Sequence, residues 1–216
     1  MGIKLIPIPN DGTICRIRQD PRFEAGELVG RTIAMALSVV NAETLSPECA
    51  SIDWATVQFA QFEHDEKYHR EISRLPIQDR LRHMAMHFAK YAGRLHEDQA
   101  VPQFERIATD TLIIAISCAN ILNVDLAAKS LAVGCADASQ AAFTKRLAIA
   151  AGRMAAACER LDHLEDYPFR QAMVDETLAI LAASLELFSA QGWKPVQVME
   201  GRLAPIKAKS IFHGKL

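Results

Sequence analysis

From Arg22 onward the hydrophobic residues recur at three- and four-residue intervals, the spacing that gathers them on one face of an α-helix. β-Branched residues do not alternate with polar ones there, so strands are not expected in this part of the chain. Pro47, Pro76, Pro102, Pro168, Pro195 and Pro205 fall between the periodic stretches, where proline more often opens a helix than interrupts one. The pattern predicts helices near 23–44, 47–74, 77–97, 103–123, 126–133, 138–163 and 169–190, with a short one near 195–203. Ser46-Pro47-Glu48 supplies an N-cap serine followed by proline at the first helical position. The first twenty residues differ: Ile3 to Pro9 and Thr13 to Arg18 are isoleucine-rich, and Asn10-Asp11-Gly12 between them is a turn signal. They read as a small hairpin or an extended arm. The segment after Pro205 reads as a loosely held tail. The expected fold class is all-α.

The pattern also repeats. Shifting Ile77–Leu126 by 66 residues lays it on Phe143–Gly192 without a gap, and ten positions coincide, among them Arg80/Arg146, Leu81/Leu147, Arg94/Arg160, Pro102/Pro168 and Thr111/Thr177. Each unit reads as helix, proline-containing turn, helix. A lone hairpin of this kind cannot bury its apolar stripe, so two are expected to form a four-helix core. The organisation that follows is an N-terminal arm with accessory helices over 1–76, a tandem helical bundle over 77–204 and a tail over 205–216, in one compact unit.

Two helices of the first repeat carry candidate chemistry. On 77–97, Leu81, Ala85, Phe88, Ala92 and Leu95 share the face expected to meet the core. Arg80, His83, His87, Lys90 and Arg94 share the opposite face, and no acid interrupts them. An uninterrupted cationic stripe suits phosphate or another anion, and a solvated basic face is the plain alternative. His83 and His87 stand at i,i+4, a metal-compatible spacing without a carboxylate in the same stripe. Arg146, Arg153 and Arg160 repeat the stripe in the second unit. On 103–123 the run from Thr111 to Leu122 is apolar nearly all round, so this helix is expected to be buried on every side. Asp110 enters it on one of those sides and needs an arginine, a hydrogen bond or a metal. Asn120 reads as an interhelical hydrogen bond, and Asp125 as the cap of a following helix.

Elsewhere, Glu63-His64-Asp65-Glu66 with His69 and Glu71 is a dense titratable group that reads as a solvated helix face. Glu159, Asp162, Glu165 and Asp166 precede Pro168, and Asp175-Glu176 follow it, so carboxylates on adjacent antiparallel helices could meet around Mg²⁺. No glycine-rich phosphate loop, nucleophile elbow or Cys–His arrangement occurs. The 216 residues carry 24 basic and 26 acidic side chains, a balance that argues against a general nucleic-acid binder. Half the residues are hydrophobic, which excludes disorder, yet no apolar run approaches the roughly 18 residues of a membrane span. Five scattered cysteines without a Cys-x-x-Cys, and a start that fits no signal peptide or myristoylation pattern, lead to the expectation of a cytoplasmic protein with no membrane partner.

The run Asp110-Thr-Leu-Ile-Ile-Ala-Ile-Ser-Cys-Ala-Asn120-Ile-Leu-Asn-Val-Asp125-Leu126 resembles the second core helix of the MazG-like all-α nucleoside triphosphate pyrophosphohydrolases, and His87-Phe-Ala-Lys90-Tyr-Ala-Gly-Arg-Leu95 stands where that family has its first. The resemblance covers about 45 residues directly and extends through the repeat to a tandem, dimer-like arrangement of hairpins. It implies an Mg²⁺-dependent hydrolase that converts nucleoside triphosphates to monophosphate and pyrophosphate. The family's two acidic pairs fall here on His87 and Lys90 and on Ile107 and Asp110, so only Asp110 survives. In the second unit the positions are Arg153, Ala156, Met173 and Glu176, again with one acid. Three functions remain open. A divergent pyrophosphohydrolase would use Asp110 and Glu176 in catalysis and hold Mg²⁺ on Asp110, Glu159, Asp162 and Glu176. A metal-free relative would bind a nucleotide or another small anion on His83, His87, Lys90 and Arg94. A helical interaction protein, a homo-oligomer of this chain, would keep the fold alone.

Overall fold

The structure, a computed structural model, describes residues 45–97, 101–129, 131, 134 and 137–209. The hairpin or arm and the helix expected over 23–44 lie outside the described residues. Within them 79% of positions are helical and there is no strand, so the fold is all-α. In chain order the helices are α1 (Pro47–Ala50), α2 (Trp54–Tyr68), α3 (Arg70–Ser73), α4 (Ile77–Leu95), α5 (Val101–Ile121), α6 (Gln140–Asp162), α7 (Phe169–Gln191) and α8 (Pro195–Lys209).

Helices α4 to α7 form the four-helix core within one chain. Helix α4 packs on α5 and α6, and α7 packs on the same two. The first turns of α5 and α6 meet where Phe104 and Phe143 stack edge to face at 6.2 Å. The opposite ends of α4 and α6 are tied by Arg82 to Asp162. Arg170, in the first turn of α7, donates to the Leu122 carbonyl at the end of α5 (2.6 Å). All four neighbouring pairs therefore run antiparallel.

The repeat explains the core. Leu81 and Leu147 are both 1% exposed, and Ala85 and Ala151 are buried beside them. Thr111 and Thr177 each return their hydroxyl to the carbonyl four residues earlier, at 2.8 and 2.7 Å. Phe88, Phe188, Leu112, Ile116, Ile180 and Leu181 fill the centre. Each such side chain contributes on the order of 2 kcal/mol by leaving water. Helix α5 is enclosed by α2, α4, α7 and α8, which is why its apolar residues surround its axis.

Several boundaries differ from expectation. The helix predicted over 47–74 is divided into three. Ser46 caps α1 through the Cys49 N–H, and Asp53 then opens α2 by accepting from the Thr56 N–H at 3.2 Å. No helix forms in the described part of 126–133. Asp125 does accept from the N–H groups of Ala127 and Ala128, as a cap would, but the turn is not continued. Asn123, with φ 53°, ends α5 in the left-handed region that asparagine tolerates. Helix α8 runs through Pro205 to Lys209, so the described part of the tail is ordered helix. Proline removes the N–H that would reach the carbonyl of Gly201, and this is tolerated because Gly201 is exposed and its carbonyl can meet water.

Candidate functional site

One face of the first hairpin, α4 and α5, is covered by α2, α3 and α8, and a cavity of about 420 Å³ lies beneath them. From α4 it is lined by Arg80, His83, Met84, His87 and Tyr91, and from α5 by Asp110, Ile113, Ile114, Ser117, Asn120 and Ile121. Arg80 and Tyr91 are eleven residues apart, so the lined stretch of α4 is about 16 Å long. Arg202, Leu203 and Ile206 close it from α8, and Gln61, His64, Asp65 and His69 from α2 and its C-terminus.

Of the proposed anion stripe, His83 and His87 line the cavity. Lys90 and Arg94 are exposed and do not line it. The Lys90 ammonium lies 3.1 Å from His87 Nδ1 and 4.7 Å from the centre of the Tyr91 ring. Burial, then the Lys90 charge, lowers the pKa of both histidines, that of His87 to about 4, so both rings are neutral near pH 7. An ammonium can only donate, so His87 Nδ1 accepts and its proton sits on Nε2. That proton is donated to His83 Nε2 at 3.0 Å, which leaves the His83 proton on Nδ1. The pair is thereby ordered as donor and acceptor, and no group of three His, Cys, Asp or Glu side chains is placed to hold a metal among the described residues.

The four acids of the expected Mg²⁺ set lie as follows. Asp110 pairs with Arg202 of α8: Nη2 donates to Oδ2 at 3.2 Å, while Nε lies 2.7 Å from Oδ1 but out of line for a hydrogen bond. Glu176 pairs with Arg153 at 3.3 Å, Asp162 pairs with Arg82, and Glu159 is exposed. Three of the acids answer three different arginines on different helix pairs. The stripe of the second repeat is neutralised in the same way, Arg146 by Glu186, Arg153 by Glu176 and Arg160 by Glu165.

Helix α2 is the largest departure from expectation. Its Glu63–Glu66 region was expected to be solvated, yet Gln61 and His64 are each 3% exposed, whereas Phe59 and Phe62 are 62% and 52% exposed. The inward stripe is polar: Gln58 donates to Asn120 Oδ1 (2.9 Å) and the Val124 carbonyl (2.8 Å), and its Oε1 accepts from the Leu126 N–H. Gln61 Nε2 donates to Asp65 Oδ1 (2.8 Å) and Ser117 Oγ (3.1 Å). These bonds orient the amide, so Oε1 is the free acceptor, and it has no partner. Among the described residues both ring nitrogens of His64 are also without a hydrogen-bond partner. Burial, with the charges of His69 and Lys207, lowers the His64 pKa to about 4, and burial raises that of Asp65. Burial and Asp110 push the Tyr91 phenol up to about 12. Polar residues at 58, 61, 64 and 65 do follow helical spacing, and that periodicity was the available signal.

Comparison of the chain with protein-family models, with curated proteins and with solved structures finds no match.

Proposed function

We propose that this protein binds a nucleotide, or another small phosphate-bearing anion, in the cavity between α2, α4, α5 and α8, without an Mg²⁺ cage. The observation that carries the reading is the cavity itself. Its volume of about 420 Å³ falls within the range of small-molecule sites. Met84, Ile113, Ile114 and Leu203 give it apolar walls against which a base could lie, and Arg80, His83, Ser117 and Arg202 supply donors toward an anion. The MazG-like resemblance of α4 and α5 suggests a nucleotide as the class of ligand. Hydrolysis is not part of the reading, because Asp110, Asp162 and Glu176 each pair with an arginine and no group of three acids placed to hold a metal is found among the described residues.

The test is thermal stability against ribo- and deoxynucleotides, with Mg²⁺ and again with EDTA. A ligand at 100 times its dissociation constant adds about 2.7 kcal/mol. The expected result is a shift that survives EDTA and is lost in Ile114→Trp, which fills the cavity. No shift, or a full shift in Ile114→Trp, would defeat the reading. A helical interaction protein is the second reading, favoured by the exposure of Phe59 and Phe62, and a chain that binds no nucleotide would select it.

A further inference from the structure

The two hairpins carry equivalent pairs of side chains, but only the second hairpin's pairs are closed by acids. Arg146 on α6 pairs with Glu186 on α7, whose carboxylate is 5% exposed and also accepts from the Gly134 N–H at 2.8 Å. Sixty-six residues earlier the same positions hold Arg80 on α4 and Asn120 on α5, both of which line the cavity. An amide has replaced the carboxylate, and it is engaged elsewhere: Asn120 Nδ2 donates to the Gln58 carbonyl at 3.0 Å, and Oδ1 accepts from Gln58 Nε2 at 2.9 Å. Among the described residues Arg80 has no ion pair, and its Nε is buried without a hydrogen-bond partner.

The next pair shows the same asymmetry. Arg153 meets Glu176 in the second hairpin, whereas the equivalent Asp110 of the first pairs with Arg202 of α8. A guanidinium nitrogen removed from water and left unpaired is costly, and so are the two ring nitrogens of His64, which line the same cavity without a hydrogen-bond partner among the described residues. These costs fall on one cavity, and an occupant could relieve them. The second hairpin shows what an arginine at this position takes: an oxyanion.

We propose that the anionic group of a ligand, a phosphate or a carboxylate, pairs with Arg80 in the place that Glu186 takes against Arg146. Each chain then binds one ligand, at the first hairpin alone, although the fold contains two hairpins. This rests on the cavity being a ligand site, and it assigns the anion to Arg80 rather than to the exposed Lys90 and Arg94.

The experiment is isothermal titration calorimetry of the full chain in EDTA with inorganic phosphate, pyrophosphate, a set of nucleoside 5′-monophosphates and succinate. Wild type is compared with Asn120→Glu, which restores the acid found in the second hairpin, and with Arg80→Ala. Arg94→Ala and Arg153→Ala serve as controls. The expected result is one site per chain, about 10- to 100-fold weaker binding in Arg80→Ala, a comparable loss in Asn120→Glu, and affinities within about twofold of wild type in the controls. Circular dichroism reports whether each variant is folded; should Asn120→Glu fail to fold, Arg80→Ala and Arg80→Lys decide. Two sites per chain, or unchanged binding in the Arg80 variants, would overturn the assignment and leave the cavity reading standing. Binding of succinate but of no phosphate compound would uphold Arg80 and overturn the nucleotide reading. No binding of any probe to wild type would overturn both.

Discussion

Lowering the pH from 7.5 to 5.0 should destabilise the fold through His64. The imidazole is 3% exposed, neither nitrogen has a hydrogen-bond partner among the described residues, and burial with the charges of His69 and Lys207 holds its pKa at about 4. In the unfolded chain the same group titrates near 6.5. Between these values the unfolded state binds the proton and the folded state does not. The neutral ring's contribution is therefore full above about 6.5, declines as the pH falls, and is gone below about 4. At pH 5.0, about 1.5 units below the unfolded value, the loss is about 2 kcal/mol. The lowered pKa of His87 acts in the same direction. The raised pKa of Asp65 acts in the opposite one, because its folded form takes up a proton more readily than its unfolded form. Both backgrounds are shared by a His64→Phe variant, so the comparison isolates His64. Urea denaturation followed by circular dichroism at the two pH values should show wild type losing about 2 kcal/mol more than His64→Phe. If the two proteins lose stability equally, His64 is not held neutral by burial, and its place in the cavity wall is wrong. At pH 7.5 His64→Phe should be no less stable than wild type in the absence of ligand, because phenylalanine carries no unpaired nitrogens.

Other consequences are structural. Phe88→Ala, at a side chain with 0% exposure, should cost about 3–5 kcal/mol in urea denaturation. Glu186→Gln should cost about 3 kcal/mol or more by leaving Arg146 without its carboxylate, whereas Glu165→Gln, facing the half-exposed Arg160, should change stability by less than about 1 kcal/mol. Gly192 ends α7 with φ 68° and has open space where a methyl group would stand, so Gly192→Ala should cost about 1 kcal/mol from backbone conformation alone, read in the same urea titration. The Cys118 thiol, 0% exposed and pushed up to about 12 by burial, should resist alkylation in the native protein and react only after unfolding, as read by mass spectrometry.

The helices of the core and their inner faces were legible in the chain because they depend on local spacing. The apolar positions of α4 and the all-round apolar run of α5 identify Leu81, Phe88, Leu112 and Ile116 as core, and all are buried. Asp110 was recognisable as a residue in need of a partner, and an arginine fills that role. The cap at Ser46 was equally local. Helix α2 departs from the expected solvated face because its inward face is polar and its outward face carries Phe59 and Phe62, the reverse of the usual burial rule.

The sequence by itself determined the helical class and the two hairpins, since 3.6-residue periodicity and turn chemistry act over a few neighbours. The tertiary structure alone decided which of the charged residues share a space. Arg202 reaches Asp110 across 92 positions, and Gln61 reaches Ser117 across 56. Arg80 and Arg146 occupy equivalent positions, yet one faces a cavity and the other a carboxylate. Such outcomes depend on which helix covers which face, and that choice is made by the packing of distant segments rather than by the pattern within any one of them.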